Sequence, residues 1–268
     1  MESRCISDTK KDYSSIITPE SVRGLSLGKI TEMYGTSGLI VRFFDTLESL
    51  GLNENKLIKD SFELAMLYHI DDKRTNGQQY INHPIRSTLH LIEDFQINDP
   101  EIISADLCHD LIEDHSRGLA VEEVGIFKEL DVYTARKIGK QVLASYTNDN
   151  VADIVMAVTN QICDEKDKKL EVYTNNITDI MENKPKPAIV KLSDFIDNAV
   201  GNHATIGDLQ NKLDVKYIQQ YDIYLQYLLN PNSLLSDNAK ETASLFLKEG
   251  YQRAMGRLSI EQIIKINK

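Results

Sequence analysis

Residues 105–114 read Ala105-Asp106-Leu107-Cys108-His109-Asp110-Leu111-Ile112-Glu113-Asp114, an apolar helical pattern that also carries acid-base and metal-binding side chains. On one continuous helix, His109 lies one turn from Glu113, and Asp110 lies one turn from Asp114. An imidazole and three carboxylates then share one surface. Carboxylates clustered beside apolar packing repel one another unless a positive charge lies among them. The pattern therefore predicts a divalent cation at this segment, and a solvated charged face is the competing interpretation.

The composition indicates a protein that folds without disulfides. The chain has 268 residues, enough for one large domain or two small ones with a substantial core. Its three cysteines, Cys5, Cys108 and Cys163, are odd in number and widely spaced, which indicates neither a disulfide framework nor a cysteine zinc site. We expect Cys108 to be a core residue. With no signal-peptide pattern and no run of roughly 20 apolar residues, a soluble, cytoplasmic protein without membrane contact is expected.

The net charge of -11 bears on the class of partner. Proteins that bind nucleic acid usually neutralise its phosphates with clustered Lys and Arg, so this charge argues against nucleic-acid binding. A small anionic substrate remains compatible with it, because a bound metal and a few basic side chains provide a local positive centre. The sequence leaves the oligomeric state open, a homo-oligomer included.

Helical periodicity dominates the chain, which predicts an all-α fold. We divide it into an N-terminal helical extension at residues 1–54, a core at 55–205 and C-terminal helices at 206–268 that pack on the core. In the extension, two helices are expected to break near Gly35 and Gly38. The other predicted helices span residues 55–68 (with Leu67 facing inward), 84–95, 119–130, 133–144, 151–160, 187–200, 214–229 and one or two stretches of 237–266.

The predicted helix at residues 187–200 is strongly apolar, yet it carries polar side chains on one face. Lys191, Asp194 and Asn198 fall at the spacing of three and four residues that shares a helix surface. Polar groups on a buried helix need partners. The cation proposed at residues 105–114 would be one such partner.

The candidate metal ligands are His83, His109, Asp110 and Asp194. His83 directly precedes Pro84, and proline is favoured in the first helical turn, so His83 is predicted at the start of a helix. Two imidazoles and two carboxylates form a mixed nitrogen and oxygen site. Such a site suits Mn, Fe, Co or Zn better than calcium and leaves coordination positions for water and phosphate.

The order His, His-Asp, Asp resembles that of the HD-domain metal phosphohydrolases, and further motifs narrow the resemblance. These motifs are Arg74 with Gly77, Tyr80-Ile81-Asn82-His83-Pro84, His109-Asp110-Leu111-Ile112-Glu113-Asp114, Val151-Ala152-Asp153-Ile154-Val155 with Val158-Thr159, and Lys191-Leu192-Ser193-Asp194 with Asn198. With them, the chain looks like the hydrolase domain of the RelA/SpoT family and its stand-alone small alarmone hydrolase relatives over roughly residues 55–205.

This resemblance implies an all-α HD-domain bundle with a metal site between helices. It also implies an enzyme that removes the 3′-pyrophosphate from guanosine tetra- and pentaphosphate with a manganese ion, although another divalent transition metal would suit the same ligands. Glu113 and Asp114 would position and deprotonate the attacking water. Arg74 would contact the base or sugar of the nucleotide, while Lys191 and Asn198 would line the pocket. Tyr80 is expected to pack.

The chain departs from the family pattern at several positions. Residues 70–73 replace the usual Gly-Gln, Asp197 stands where a histidine is usual, and Val200-Gly201 stands where Arg-Thr is common. These positions are expected to face phosphate and nucleotide, and an apparent insertion lies at 133–150. The departures keep open an HD phosphohydrolase that acts on a different nucleotide.

A non-catalytic, nucleotide-binding HD module is the other alternative. Loss of a ligand or of the Glu113-Asp114 pair would be its signature, and the sequence retains them. Among the remaining histidines, His69 is expected to orient the following loop through a hydrogen bond. For His90, His115 and His203, solvent-exposed or capping roles are expected.

Overall fold

The computed structural model describes residues 16–124, 130–165, 167–200, 208–260 and 262, which form a helical bundle. Among these residues the only β pairing is an isolated bridge between Lys73 and Gln79, so the predicted all-α fold is confirmed. The helices are α1 (Pro19–Val22), α2 (Leu27–Ser49), α3 (Lys56–His69), α4 (Asn82–Leu89), α5 (Pro100–Leu107), α6 (Leu111–Val124), α7 (Val132–Tyr146), α8 (Asp149–Val158), α9 (Lys169–Asn183), α10 (Pro185–Phe195), α11 (Asp208–Ile218), α12 (Tyr221–Leu229) and α13 (Asp237–Arg257). A π-helical turn continues α4 (His90–Asp94), and another continues α10 (Ile196–Val200). Across the described ranges, no helix has both the length and the apolarity to cross a bilayer.

The centre of the bundle is α5, which packs against α3, α4, α8 and α10. Ile103, Ala105 and Leu107 on α5 and Ile189 on α10 are buried. Full burial of one Ile or Leu side chain contributes about 1.5–3 kcal/mol, so these contacts fix the helices relative to one another. The candidate site residues lie on α4, on α10 and in the turn after α5, and this core therefore determines their relative positions.

Capping residues define where two of the central helices begin. Asp99 accepts a hydrogen bond from the backbone N–H of Glu101 at 2.9 Å and precedes Pro100, whose missing N–H would have no partner in the first turn. Asn148 accepts from the backbone N–H of Val151 at 2.8 Å and begins α8. Each cap satisfies an otherwise unpaired N–H, which is typically worth about 1 kcal/mol.

The continuous helix predicted over residues 105–114 is wrong, because a turn at residues 108–110 separates α5 from α6. In that turn, Nδ1 of His109 contacts the backbone carbonyl of Asp106 at 2.6 Å. A continuous helix would use the same carbonyl to accept from the backbone N–H of Asp110. The side chain of His109 thus competes with the helix for this acceptor and favours the turn.

Other segments also differ from the prediction. The helix expected at residues 119–130 is the second half of α6, and residues 125–129 lie outside the described part. The helix expected at 214–229 divides into α11 and α12 at a turn at residues 219–220, and two tyrosines of α12 pack on Phe195 of α10. Leu67 is 61% exposed, so its predicted inward orientation is wrong. The prediction omits α9, whose β-branched and Asn residues have low helix propensity.

Several predicted elements are confirmed. The helices expected at residues 55–68, 133–144 and 151–160 are α3, α7 and α8, and the buried helix expected at 187–200 is α10 with its π-helical turn. The break expected near Gly35 and Gly38 occurs at Gly35. There φ is 60°, a backbone conformation that glycine adopts without the steric cost of a Cβ.

The outer helices share the core of the central ones. Most buried hydrophobic residues of the described helices form one connected cluster, and a smaller second cluster consists of Ile218, Ala254 and Leu258. Among the outer helices, α2 packs against α4, and α13 packs against α11, α12 and the π-helical turn after α10. The proposed divisions after residues 54 and 205 remain predictions.

Candidate metal centre

The four predicted metal ligands come from three parts of the bundle and meet at one point. His83 lies in the first turn of α4, His109 and Asp110 in the turn between α5 and α6, and Asp194 near the end of α10. Nε2 of His83 is 3.2 Å from Oδ1 of Asp194 and 3.7 Å from Oδ2 of Asp110. Nε2 of His109 is 3.2 Å from Oδ2 of Asp110 and 3.7 Å from Oδ1 of Asp194. The two Nε2 atoms are 3.3 Å apart.

Both imidazoles are held by their far nitrogen. Nδ1 of His83 is 2.7 Å from Oδ2 of Asp197, and Nδ1 of His109 is 2.6 Å from the backbone carbonyl of Asp106. Because an ionised carboxylate and a carbonyl only accept hydrogen bonds, both Nδ1 atoms carry the proton in the neutral rings. The Nε2 lone pairs of His83 and His109 therefore both point into the centre.

The charges around the centre attract a cation. Burial acts to raise the pKa of Asp110 and Asp194, yet His109 holds that of Asp110, and Lys191 that of Asp194, well below the ordinary range. Burial acts against a charged His109, but Asp110 and Asp194 raise its pKa well above the ordinary value. Two ionised carboxylates thus face two imidazoles, and the centre favours a positive charge between them.

Asp197 supports His83 from behind. Its side chain is 0% exposed and accepts from Nε and Nη2 of Arg86 at 2.6 and 2.9 Å, besides its contact with His83. Burial would raise the pKa of Asp197, but Arg86 and His83 lower it far below the ordinary value. The expectation that Asp197 faces the nucleotide is wrong, because the carboxylate is enclosed and fully engaged behind His83.

The three predicted substrate-binding residues gather around Asp194. Nζ of Lys191 donates to Oδ2 of Asp194 at 3.1 Å, and Nδ2 of Asn198 donates to Oδ1 at 2.5 Å. Nη2 of Arg74 donates to Oδ1 of Asn198, and Nη1 lies 3.7 Å from Oδ2 of Asp197. Lys191 is buried, while Arg74 keeps partial exposure. The structure therefore places positive and amide groups beside the candidate centre.

The two predicted catalytic carboxylates are held differently. Because the chain turns at His109, Glu113 does not lie one helical turn beyond it. The carboxylate of Glu113 instead accepts from the backbone N–H of Asn160 at 3.0 Å and from its Nδ2 at 2.9 Å. Burial and the charge of Asp110 raise the pKa of Asp114 to about 6. A carboxyl group with this pKa is suited to proton transfer near neutral pH.

An open cleft of about 630 Å³ adjoins Glu113. Its lining residues include Arg136, Asn160, Tyr173 and Lys216. Burial lowers the pKa of Lys216, while the charge of Asp194 acts in the opposite direction. The cleft is large enough for a small organic ligand and carries basic groups on its walls.

Besides Asp197, two polar residues that support the centre were missed or expected in another role from the sequence. Tyr80 packs, as expected, since its ring stacks on His69, but its hydroxyl also donates to Oδ2 of Asp110 at 2.7 Å. Asp106 is buried and accepts hydrogen bonds from three hydroxyls, those of Ser87, Thr88 and Ser193. Burial raises the pKa of Asp106 to about 6. The one signal in the sequence that could have revealed Asp106 is its position as an acidic residue within the apolar face of a helix.

The remaining histidines follow the prediction only in part. His69 contacts Asp72 of the following loop through Nδ1 at 2.9 Å, as predicted. His90 pairs with Asp94 at 2.6 Å, and His203 lies outside the described residues. His115 was expected to be solvent-exposed or capping, but its Nε2 contacts both His69 and Asp72. Cys108 is fully buried, as predicted.

The donor set fits a divalent transition metal. Donor atoms that bind one ion at about 2.0–2.2 Å lie roughly 3–3.6 Å from one another, close to the separations measured here. Even without Asp110, the donor atoms of His83, His109 and Asp194 form a cluster able to hold a metal. Asp110 also lies near both imidazoles. The protein is thus an all-α bundle, consistent with an HD-domain fold, with a histidine–aspartate cluster able to bind a divalent ion.

Comparison with known proteins indicates a distant relative. The chain is 26% identical over 195 residues to a protein of Mycoplasma genitalium named probable guanosine-3′,5′-bis(diphosphate) 3′-pyrophosphohydrolase. The match covers 73% of this chain and 22% of the relative. No family model matches the chain. The similarity supports a distant relationship to a protein named as a hydrolase.

Proposed function

We propose that this protein is a metal-dependent phosphohydrolase that acts on a small nucleotide. One observation carries the proposal: two imidazoles, each fixed through Nδ1, direct their Nε2 atoms at the same point as the carboxylates of Asp110 and Asp194. Fixing the far nitrogen in this way is what proteins do with metal-binding histidines. The name of the distant relative supports the same class of reaction.

His83, His109, Asp110 and Asp194 would hold the ion, and Mn²⁺ is the proposed native metal. When bound, such an ion supplies positive charge that makes a water more acidic and offsets the charge of a phosphoryl group. Arg74, whose side chain is partly exposed, would contact the nucleotide. Lys191 and Asn198 fix Asp194 and contribute the positive and amide groups that a phosphate needs.

Asp114 and Glu113 would both act on the attacking water, one as proton acceptor and the other as orienting group. Because its pKa is raised to about 6, Asp114 is suited to accept the proton of that water. Glu113 is immobilised by Asn160 through both of its oxygens and would orient the water from a fixed position. Enzymes use such pairs to hold reactants in one geometry, which lowers the entropic part of the barrier.

The proposed substrate is guanosine-3′,5′-bis(diphosphate). Water would add to the phosphorus bonded to O3′ and the P–O3′ bond would break, releasing pyrophosphate and leaving a 3′-hydroxyl on GDP. The RelA/SpoT-like motifs and the name of the relative support this choice. A cytoplasmic location and the absence of a nucleic-acid partner stay predictions.

A nucleotide panel tests the proposal. The purified chain is incubated with Mn²⁺ and guanosine-3′,5′-bis(diphosphate), GTP or GDP, and released pyrophosphate and phosphate are measured. We expect pyrophosphate only from the 3′-pyrophosphorylated nucleotide, with no release by the Asp110→Ala variant. Release from another nucleotide alone would replace the substrate assignment. Tight nucleotide binding without turnover would instead favour a binding module.

A further inference from the structure

A second histidine–aspartate cluster lies beside the candidate centre. It consists of His69 at the end of α3, Asp72 in the following loop and His115 on α6. Oδ2 of Asp72 is 2.9 Å from Nδ1 of His69 and 2.7 Å from Nε2 of His115. Nδ1 of His69 and Nε2 of His115 are 3.2 Å apart. Three atoms able to bind a metal, from three separate elements, therefore form one small triangle.

The chemical state of these groups suits metal binding. Burial lowers the pKa of His69, which keeps its imidazole neutral, the form that coordinates metals. Burial acts to raise the pKa of Asp72, but hydrogen bonds from His69 and His115 lower it overall, so the carboxylate is ionised. Among the described residues, Nε2 of His69 has no hydrogen-bond partner, and Nδ1 donates to Asp72, so an ion bound at Nδ1 would displace that proton.

We propose that His69, Asp72 and His115 form a second site for a divalent transition metal such as Zn²⁺. Two imidazole nitrogens and one carboxylate oxygen are a donor set that zinc accepts, with a fourth position left for water. The cluster is reachable from solvent, because the side chain of Asp72 is 37% exposed and that of His115 is 20% exposed. An ion thus has an entry path that does not pass through the first centre.

The two sites share no donor atom. The ring of Tyr80 lies between them, stacked on His69 with centroids 4.7 Å apart and edge-on to His83 at 6.1 Å. The Tyr80 hydroxyl contacts Asp110 of the first centre rather than Asp72. Loss of one site should therefore leave the donor atoms of the other in place.

An ion at the second site would anchor the loop at residues 70–79. The loop follows His69, includes Asp72 and carries Arg74, which reaches Asn198 on the opposite wall of the first centre. Binding three groups to one ion ties this loop to α3 and α6. The bound ion would hold the loop in one conformation, and this structural role goes beyond the proposed hydrolysis.

Metal stoichiometry tests the proposal. The full chain is dialysed to equilibrium against Zn²⁺, and bound metal is counted by elemental analysis. We expect about two ions per wild-type chain, and about one for Asp72→Ala, for His115→Ala and for Asp194→Ala. The control is His90→Ala, which removes a histidine that also pairs with an aspartate but lies outside both clusters, and it should retain about two.

A second readout separates binding at the cluster from a change in folding. Co²⁺ bound by two imidazoles and a carboxylate absorbs visible light, and Asp72→Ala should lose one part of the spectrum while Asp194→Ala loses the other. Zn²⁺ should raise the melting temperature of Asp194→Ala but not of the double variant with Asp72→Ala. If Asp72→Ala retains the wild-type zinc count and Co²⁺ spectrum, the cluster is only hydrogen-bonded and the second site is refuted. If Asp194→Ala, and not Asp72→Ala, retains the wild-type zinc count and Co²⁺ spectrum, the first centre is refuted instead.

Discussion

Replacing Asp197 by asparagine removes the negative charge that holds both His83 and Arg86. The carboxylate is fully buried and makes three short contacts, one with Nδ1 of His83 and two with the guanidinium of Arg86. The amide oxygen of the introduced side chain would still accept a hydrogen bond, but the charge of Arg86 would lose its partner. We therefore expect weaker metal binding and lower stability from one substitution.

The magnitudes follow from these contacts. Removing the partner of a metal-binding histidine typically weakens metal affinity about 10–100-fold, which is about 1.4–2.7 kcal/mol. Leaving Arg86 as an unpaired buried charge costs about 3–5 kcal/mol of the free energy of unfolding. Because the amide retains one acceptor, we expect the lower part of that range for Asp197→Asn.

The loss of metal affinity and the loss of stability are measured separately. Mn²⁺ affinity is measured by equilibrium dialysis in a His115→Ala background, which removes the second cluster, and stability by guanidinium unfolding of the metal-free chain. The matched control is Glu93→Gln, which breaks a similar two-contact pair with Arg42, at 2.7 and 3.0 Å, away from the centre. It should destabilise the chain without changing Mn²⁺ affinity. Unchanged affinity in Asp197→Asn, with stability reduced, would refute the claim that the charge of Asp197 strengthens His83 as a metal ligand.

Three other substitutions test catalysis, packing and charge. Asp114→Asn should slow hydrolysis about a hundredfold or more while bound metal stays unchanged, because it removes a proton acceptor. Gly250→Ala should cost about 1–3 kcal/mol of stability, since its Cβ would lie 2.5 Å from a tyrosine hydroxyl of α12. Hydrogen bonds from Asn150 and Lys186 lower the pKa of Glu101, so the stability it contributes is complete above its ordinary pKa and is lost as the pH falls. Lys186→Met should remove part of this pH dependence and, at a partly exposed pair, about 0.5 kcal/mol.

Each of these three predictions has a control or an outcome that would contradict it. An unaltered rate in Asp114→Asn would remove it as the proton acceptor. Gly256→Ala, also on α13, places its Cβ in open space and should raise stability by about 0.4–1 kcal/mol, and equal effects at both glycines would contradict the packing argument. Lys248→Met changes an exposed lysine on α13 and should leave the pH profile unaltered. An identical profile in Lys186→Met would contradict the ion-pair assignment.

Local sequence patterns suffice for most of the helices but not for the break in the central one. The apolar spacing through Leu107, Leu111 and Ile112 continues without interruption across the turn. The break depends on His109, whose Nδ1 takes the carbonyl of Asp106 inside the folded bundle. No periodicity contains that information, because the contact matters only once the imidazole is buried among distant residues.

Sequence motifs indicate the candidate metal ligands, whereas the residues that support them are not visible in the sequence. The ordered motif foresaw that His83, His109, Asp110 and Asp194 would come together, because each stands in a short pattern of its own. The support of His83 by Asp197 joins positions 114 residues apart, and the contact of His115 with His69 joins positions 46 apart. Such contacts become visible only after the helices have packed, so spacing along the chain could not reveal them.

Anomalous diffraction from crystals grown with Mn²⁺ tests the central claim most directly. We expect an anomalous peak enclosed by Nε2 of His83, Nε2 of His109 and the carboxylates of Asp110 and Asp194. The same experiment on Asp194→Ala crystals should show that peak weakened or lost. A strong peak elsewhere, with those four side chains bound to no ion, would contradict the account.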